Sequence, residues 1–327
     1  MLTVPRFDWL APRSLDATLG MLGGERGETL VIAGGTDAVP NLKHRLHEPK
    51  RVIHIGAVRE LHFVRDQDDG IQLGPLVTLT ELTRHPVIQR DLPGLARAAA
   101  MVAGPQLRNM GTLGGNLCLD TRCTYYNQTY FWREALGFCL KKDGVHCHVV
   151  PQGKRCVAAH SSDVAPMLIA LGASVEIASR AGRRTIPVEE FFVGDGIHNN
   201  VLATDELVTG ITVPAAARGL KVGYQKLRPR GAIDFPMLSV SFAARMDGAT
   251  CADARLVVSA LAARPKRVLL EKLLVGRIPD DDSIAVVAQT AYKQCLPQTS
   301  IPYDPDYRHQ MVPVFVKRAI REALGAS

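Results

Sequence analysis

The chain has 327 residues, 46% of them hydrophobic and 22% charged, and a formal net charge of +7. This composition suits a globular protein of about two domains at ~150 residues each and excludes a fully disordered chain, which has too few apolar residues to bury a core. The longest apolar run, 164–178, is broken by Pro166 and Glu176 and falls short of the roughly 18 residues a membrane span needs, so no membrane segment is expected.

In chain order, the first unit, 1–57, reads strand, loop, helix, strand. Ser14 caps a predicted helix with Leu15, Leu19 and Leu22 on one face. Residues 29–33 are a continuous apolar run, the pattern of a buried strand, and 52–55 form a second short strand. In the second unit, 58–217, residues 61–64 and 71–73 flank Asp69-Gly70, a hairpin signal. Thr78 and Glu81 form a capping box. An Ala-rich helix is predicted over 93–103, with Gly104 just past its end. Ser161 or Ser162 caps a helix that runs through Leu171, and 174–178 is a strand. The third unit, 218–327, holds antiparallel strands over 238–245 and 254–260 around Asp247-Gly248. Helices are predicted near 267–274 and 283–294, and the last helix over 312–323. No internal repeat is visible.

The N-terminus has no basic stretch followed by an apolar one, which predicts no signal peptide and a cytoplasmic protein, where disulfides are rare. Basic residues recur over 221–230 and 264–272. No zinc-finger, RNA-binding or helix-turn-helix pattern accompanies them, so no nucleic-acid partner is expected.

Two glycine-rich loops carry the first functional signal. Ala33-Gly34-Gly35-Thr36-Asp37 follows a buried strand. Paired glycines let backbone N–H groups approach a phosphate, and Thr36 adds a hydroxyl donor. The loop is neither the dinucleotide fingerprint nor a P-loop, and alone it equally fits a tight turn. The second loop, 108–116, ends Gly111-Thr112-Leu113-Gly114-Gly115-Asn116. Two such loops together suggest a ligand with several phosphate or polar groups, such as a dinucleotide.

The motifs resemble those of a known family. Ala33-Gly-Gly-Thr-Asp37 and Arg108-Asn-Met-Gly-Thr-Leu-Gly-Gly-Asn116 are similar to the two loops of the FAD-binding subunit of molybdenum hydroxylases, the xanthine dehydrogenase and carbon monoxide dehydrogenase family. Ser162-Asp163-Val-Ala-Pro resembles a third motif and Tyr224-Gln-Lys226-Leu-Arg-Pro-Arg a fourth, and the likeness runs in order along the chain. The resemblance implies an α+β fold: a two-part FAD-binding domain of the PCMH type, then a C-terminal α+β domain like that of the carbon monoxide dehydrogenase flavoprotein. It implies that Ile32, Ala33, Gly34, Gly35 and Thr36 wrap the FAD pyrophosphate, with Asp37 beside them. Thr112, Gly115 and Asn116 then form the second loop around the cofactor. Asp163 would accept hydrogen bonds from the ribityl or adenosine side, and Lys226 would lie near the flavin, where it stabilises an anionic reduced ring. Read on their own, Asp163 is a helix-capping group and Lys226 a surface lysine.

The cysteines are the most informative feature. Cys118, Cys123, Cys139, Cys147 and Cys156 cluster, while Cys251 and Cys295 are isolated and read as buried small side chains. In the family the Gly-Gly-Asn loop runs almost directly into the Ser-Asp motif; here residues 119–159 intervene, rich in Cys, His, Lys and aromatics. Such a loop is hard to order by packing alone, and a metal is the natural clip. Cys123, Cys139, Cys147 and Cys156 supply thiolates that suit zinc or an iron–sulfur cluster, and their spacing does not decide between the two. His146 and His148 flank Cys147 and are alternative ligands, though they read better as solvent-facing or supporting groups. The insert resembles that of the 4-hydroxybenzoyl-CoA reductase branch of the family, which implies an additional [4Fe-4S] cluster.

The resemblance then implies an oxidoreductase subunit with no catalytic residues of its own. Electrons would pass from ferredoxin through the [4Fe-4S] cluster and FAD to a small [2Fe-2S] subunit and a large molybdenum-cofactor subunit. The assembly would be a duplicated heterotrimer (a heterohexamer) that reductively dehydroxylates 4-hydroxybenzoyl-CoA to benzoyl-CoA in anaerobic aromatic degradation. Two other readings stay open at this point: the FAD subunit of another molybdenum hydroxylase, of the xanthine or CO dehydrogenase type, and a zinc-clipped nucleotide-binding module without redox activity.

Overall fold

The computed structural model of the chain describes residues 2–270 and 272–325. The described residues form three sheets, each with helices of its own. In the first, β1 (Asp8–Leu10), β2 (Thr29–Ile32) and β3 (Arg51–His54) lie parallel in the order β1-β3-β2. Parallel neighbours need crossovers, and helices Leu15–Met21 and Ala38–Lys43 supply them. Ser14 caps the first helix, its hydroxyl accepting from the Ala17 N–H at 3.2 Å. β2 ends at Ile32, its one buried residue, so the first glycine loop leaves from the buried end of a strand that is half-buried over Thr29, Leu30 and Val31 rather than buried throughout.

The second sheet is antiparallel. It holds β4 (Val64–Gln67), β5 (Gly70–Leu73), β6 (Ser174–Ser179), β7 (Gly182–Pro187) and β8 (Leu207–Pro214), in the order β4-β5-β8-β6-β7. β4 starts three residues later than the predicted 61–64, because Arg59–Leu61 form a 3-10 turn that buries Leu61. Helices Leu79–Arg84, Pro93–Ala100 and Val164–Ala170 share one core with the sheet through Leu79, Leu82, Leu95, Met167, Val175 and Ile211. The Thr78–Glu81 capping box is present, with the Thr78 N–H donating to the Glu81 carboxylate at 2.7 Å. At helix Val164–Ala170 the capping acceptor is Ser162, which takes the Ala165 N–H at 3.1 Å; Asp163 makes no cap bond.

The third sheet, also antiparallel, runs β12-β11-β10-β9 from β9 (Lys221–Leu227), β10 (Leu238–Asp247), β11 (Thr250–Ser259) and β12 (Lys266–Val268). Its strands alternate between two cores: Leu238, Val240 and Phe242 pack with helices Asp281–Gln294 and Pro305–Leu324, while Tyr224, Ala243 and Val257 join the core of the second sheet. Among the described residues of the stretch 267–274, predicted helical, none is in a helix. Lys266–Val268 pair with Leu256, Val257 and Val258, and 272–276 are turns. A helix that short has little stability of its own, and the ladder that buries Val268 wins. The last helix begins at Pro305 rather than 312, because Asp304 accepts from the Asp306 N–H at 2.8 Å and Pro305 occupies the first helical position. Among the described residues no helix is long and apolar enough to cross a membrane.

His160 joins the end of the 119–159 insert to the third sheet. Its N–H donates to the Ala262 carbonyl at 2.9 Å, its Nδ1 lies 3.0 Å from the Ser259 hydroxyl, and its ring meets Phe192 edge-on. Nε2 is buried without a partner, and burial pulls the imidazole from 6.5 down to about 3. Between those two values the unfolded chain binds a proton that the folded chain does not, so stability rises with pH across that window. Acidification from pH 6.5 to 5 is expected to cost about 2 kcal/mol through this ring. Denaturation profiles should show a shallower pH slope for His160→Asn than for the parent. Equal slopes would remove His160 as the cause.

Candidate functional site

The two glycine loops meet face to face. A Cβ on Gly34 would stand 1.7 Å from the Met110 carbonyl oxygen, so only glycine lets these backbones touch. Gly35 has φ +70°, the left-handed region that glycine favours. The second loop is held from behind: the Leu79 N–H donates to the Gly111 carbonyl and the Leu113 N–H to the Val77 carbonyl, each at 2.9 Å. Thr112 caps helix Leu113–Leu117 by accepting from the Gly115 N–H at 3.1 Å. The Asn116 side-chain oxygen accepts from the Ser162 hydroxyl at 2.8 Å, which ties this loop to the Ser-Asp motif.

Two hollows adjoin that contact. One, of about 250 Å³, is lined by Ile32, Ala33, Gly34, Gly35, Thr36, Asp37, Thr112, Gly115 and Asn116, together with His47, Val102, Ala103, Cys118, Leu119, Asp120 and Phe235. The other, of about 690 Å³, is lined by His54, Arg59, His62, Thr78 and Asn109 among others, and shares Ala33, Gly34 and Thr112 with the first. An elongated ligand can therefore lie with a polar waist at the glycine contact and one end in each hollow.

Asp163 and Lys226 do not line either hollow. The structure pairs them with each other behind the wall. Lys226 Nζ donates to Asp163 Oδ2 at 2.9 Å and to the Met101 carbonyl at 3.0 Å, while the Tyr224 hydroxyl donates to Asp163 Oδ1 at 2.6 Å. Burial pushes the carboxyl up and the ammonium down, and their mutual attraction opposes both shifts. Nor is Lys226 a surface lysine, since its side chain is fully buried. Lys226 reaches the cleft through the backbone: it bonds the Met101 carbonyl, and Met101 leads into Val102 and Ala103, which line the first hollow.

The insert 119–159 folds back beside the same cleft. Arg122 and Ala159 exchange backbone hydrogen bonds at 2.8 and 2.7 Å and close its base. Cys123, Cys139, Cys147 and Cys156 are all buried and line one cavity with Tyr125, Tyr126, Lys141 and His148. Backbone N–H groups point at two of the sulfurs, Val150 at Cys147 Sγ and Ala158 at Cys156 Sγ, each at 3.4 Å. Burial pushes the Cys123 thiol up to about 12 and the Cys156 thiol up to about 11. Without a cation Cys123 and Cys156 therefore keep their protons, and a metal bound there deprotonates them. Among the described residues, no group of three or more His, Cys, Asp or Glu is gathered as the ligand shell of a single metal ion. Cys118 stands apart, on the wall of the first hollow, where burial raises it to about 12. Cys251 and Cys295 are buried in the core of the third sheet.

Residues 5–216 match the FAD binding domain in molybdopterin dehydrogenase, and 223–323 match the CO dehydrogenase flavoprotein C-terminal domain. The chain belongs to this family of FAD-binding subunits. It is similar to the carbon monoxide dehydrogenase medium chain of Hydrogenophaga pseudoflava, 27% identical over 320 residues that cover 98% of this chain and 97% of the relative. It is also similar to the nicotine 6-hydroxylase medium subunit of Paenarthrobacter nicotinovorans, 26% identical, covering 98% of each. A solved structure of the Hydrogenophaga pseudoflava carbon monoxide dehydrogenase superposes with a TM-score of 0.79 at 28% identity over 99% of both chains. The mixed helix-and-sheet architecture expected from the sequence is that of the family.

FAD fits the cleft on the geometry alone. The glycine contact leaves no room for a side chain on Gly34, and a loop of that kind suits the close approach of a pyrophosphate to backbone amides. The two hollows, joined at Ala33, Gly34 and Thr112, offer room for an extended dinucleotide. Sequence reading missed His47, Asp120 and Phe235 on this wall, and Lys141 and Tyr126 on the cysteine cavity. Of these, only the aromatic and lysine richness of the insert left a trace in the sequence.

Proposed function

We propose that the chain is the electron-transfer subunit of a molybdenum enzyme of the 4-hydroxybenzoyl-CoA reductase type. It would carry FAD in the cleft and a [4Fe-4S] cluster on Cys123, Cys139, Cys147 and Cys156. Its partners would be ferredoxin as donor, a small [2Fe-2S] subunit and a large molybdenum subunit. One observation carries this reading: four cysteines drawn from an otherwise irregular insert line a single buried cavity beside the FAD cleft. When bound, FAD takes and gives electrons singly or in pairs, and the cluster handles them singly.

The chain's own residues bind and shield. The insert buries the sulfurs away from water behind Tyr126 and Ala158, and two backbone N–H groups point at sulfur, an arrangement that favours thiolate. Arg133, 1% exposed, donates to the His44 and Arg45 carbonyls at 3.2 and 2.9 Å and fastens the insert to the turn that follows helix Ala38–Lys43. A zinc ion would only staple the loop, whereas a redox centre here lies next to the flavin site.

The test is metal and flavin analysis of the full chain, purified anaerobically and reconstituted with FAD, iron and sulfide. About four irons per chain with flavin bands are expected, and Cys147→Ser should lose the iron. FAD with zinc and no iron would overturn the cluster and leave the FAD subunit of a different molybdenum hydroxylase.

A further inference from the structure

Residues 119–123 belong to both sites at once. Leu119 and Asp120 line the FAD cleft, and Cys123, three residues on, lines the cysteine cavity. Arg122, between them, forms an ion pair with Asp37 of the first glycine loop, and its guanidinium lies 4.1 Å from the centre of the Phe235 ring. Asp37 and Phe235 are both cleft walls, one from the first sheet's unit and one from the loop between β9 and β10. A single side chain of the insert therefore holds two separate parts of the cleft. Asp37 is further fixed by the Asn41 amide, which donates to its Oδ2 at 2.9 Å.

The cysteine cavity grips the same strap. Lys141 and Tyr126 line that cavity, and both reach Asp120: Lys141 Nζ at 2.7 Å and the Tyr126 hydroxyl at 3.0 Å. Lys141 also donates to the Thr121 hydroxyl at 2.6 Å and to the Gly196 carbonyl at 2.7 Å. The insert has little regular structure, so beyond these side-chain bonds a group held by the cysteines would add to the order of the strap.

We propose that Arg122 is a positioning residue for FAD, and that the strap makes its placement depend on the cysteine cavity, so that metal and FAD each tighten the other's binding. The inference rests on the cysteine cavity holding a metal, as set out above. Linkage makes the effect reciprocal: whatever factor metal adds to FAD affinity, FAD adds to metal affinity.

The experiment compares the metal-loaded full chain with the same chain stripped by a chelator. FAD is titrated by quenching of its fluorescence, and iron release to the chelator is timed with and without FAD. The loaded chain is expected to bind FAD about tenfold more tightly, and FAD is expected to slow iron release. In Arg122→Gln the loaded and stripped forms should bind FAD equally weakly while the cluster absorption stays intact. Arg122→Lys, which keeps the charge, should restore part of the difference, as a merely structural role would not. Equal FAD affinity of loaded and stripped parent chains would overturn the coupling and leave the cluster standing. So would full coupling in Arg122→Gln. A chain that takes up only zinc yet binds FAD more tightly would keep the coupling and overturn the cluster. A chain that takes up no metal would overturn both.

Discussion

Gly34→Ala is expected to give a folded chain that no longer retains FAD. The added Cβ would lie 1.7 Å from the Met110 carbonyl oxygen and 2.5 Å from its carbon, both backbone atoms that cannot rotate away. One loop must retreat by more than an ångström, to the ~3 Å at which real Cβ contacts begin. Backbone amides that would hold the FAD pyrophosphate then lose their aim. Hydrogen bonds to a charged group contribute about 1.5–3 kcal/mol each, so losing two weakens binding by roughly 10²–10⁴-fold. The fold should survive, because Gly34 sits in a loop outside every hydrophobic core cluster. Flavin content after desalting, read beside a thermal melt, checks this. Stoichiometric FAD in the variant would mean that the close approach of the loops does not shape the site.

The parts of the molecule that were legible in the sequence are those written in local residues. The glycine pairs, the Thr78–Glu81 box and the crowding of cysteines each lie within a short window, and each has a physical consequence that needs no partner from elsewhere. Contacts across long separations left no such mark. Arg122 reads as one charge in a polar insert until the fold brings it to Asp37 and Phe235. Asp163 and Lys226 carried roles borrowed from the family resemblance, whereas the fold spends both oxygens of Asp163 on Tyr224 and Lys226, residues of β9. The stretch 267–274 fails for a related reason: its short apolar run fits helix and strand alike, and only the neighbouring β11 decides.

Lys226→Met is expected to cost about 3–5 kcal/mol, because it strands a buried carboxylate rather than removing a surface contact. Asp163 would keep the Tyr224 hydroxyl at 2.6 Å as its one remaining side-chain donor, with the charge of Arg228 acting on it without a hydrogen bond and almost no water to share the charge. For a domain of this size that corresponds to a fall in Tm of about 10 °C. Asp163→Asn in the same chain should recover part of the loss, since the orphaned charge is then gone, and the two substitutions together should cost well under the sum of each alone. The cleft should suffer second. Lys226 and Arg228 both donate to the Met101 carbonyl, and Arg108 donates to that of Val102, so the wall loses one of its buttresses rather than a ligand contact. The two roles for Lys226 therefore separate cleanly. A lysine that touched the flavin would, on substitution, shift the flavin's absorption or potential at unchanged Tm. A lysine that holds the wall through Asp163 and Met101 lowers Tm first, weakens FAD binding as a consequence, and is rescued by neutralising Asp163.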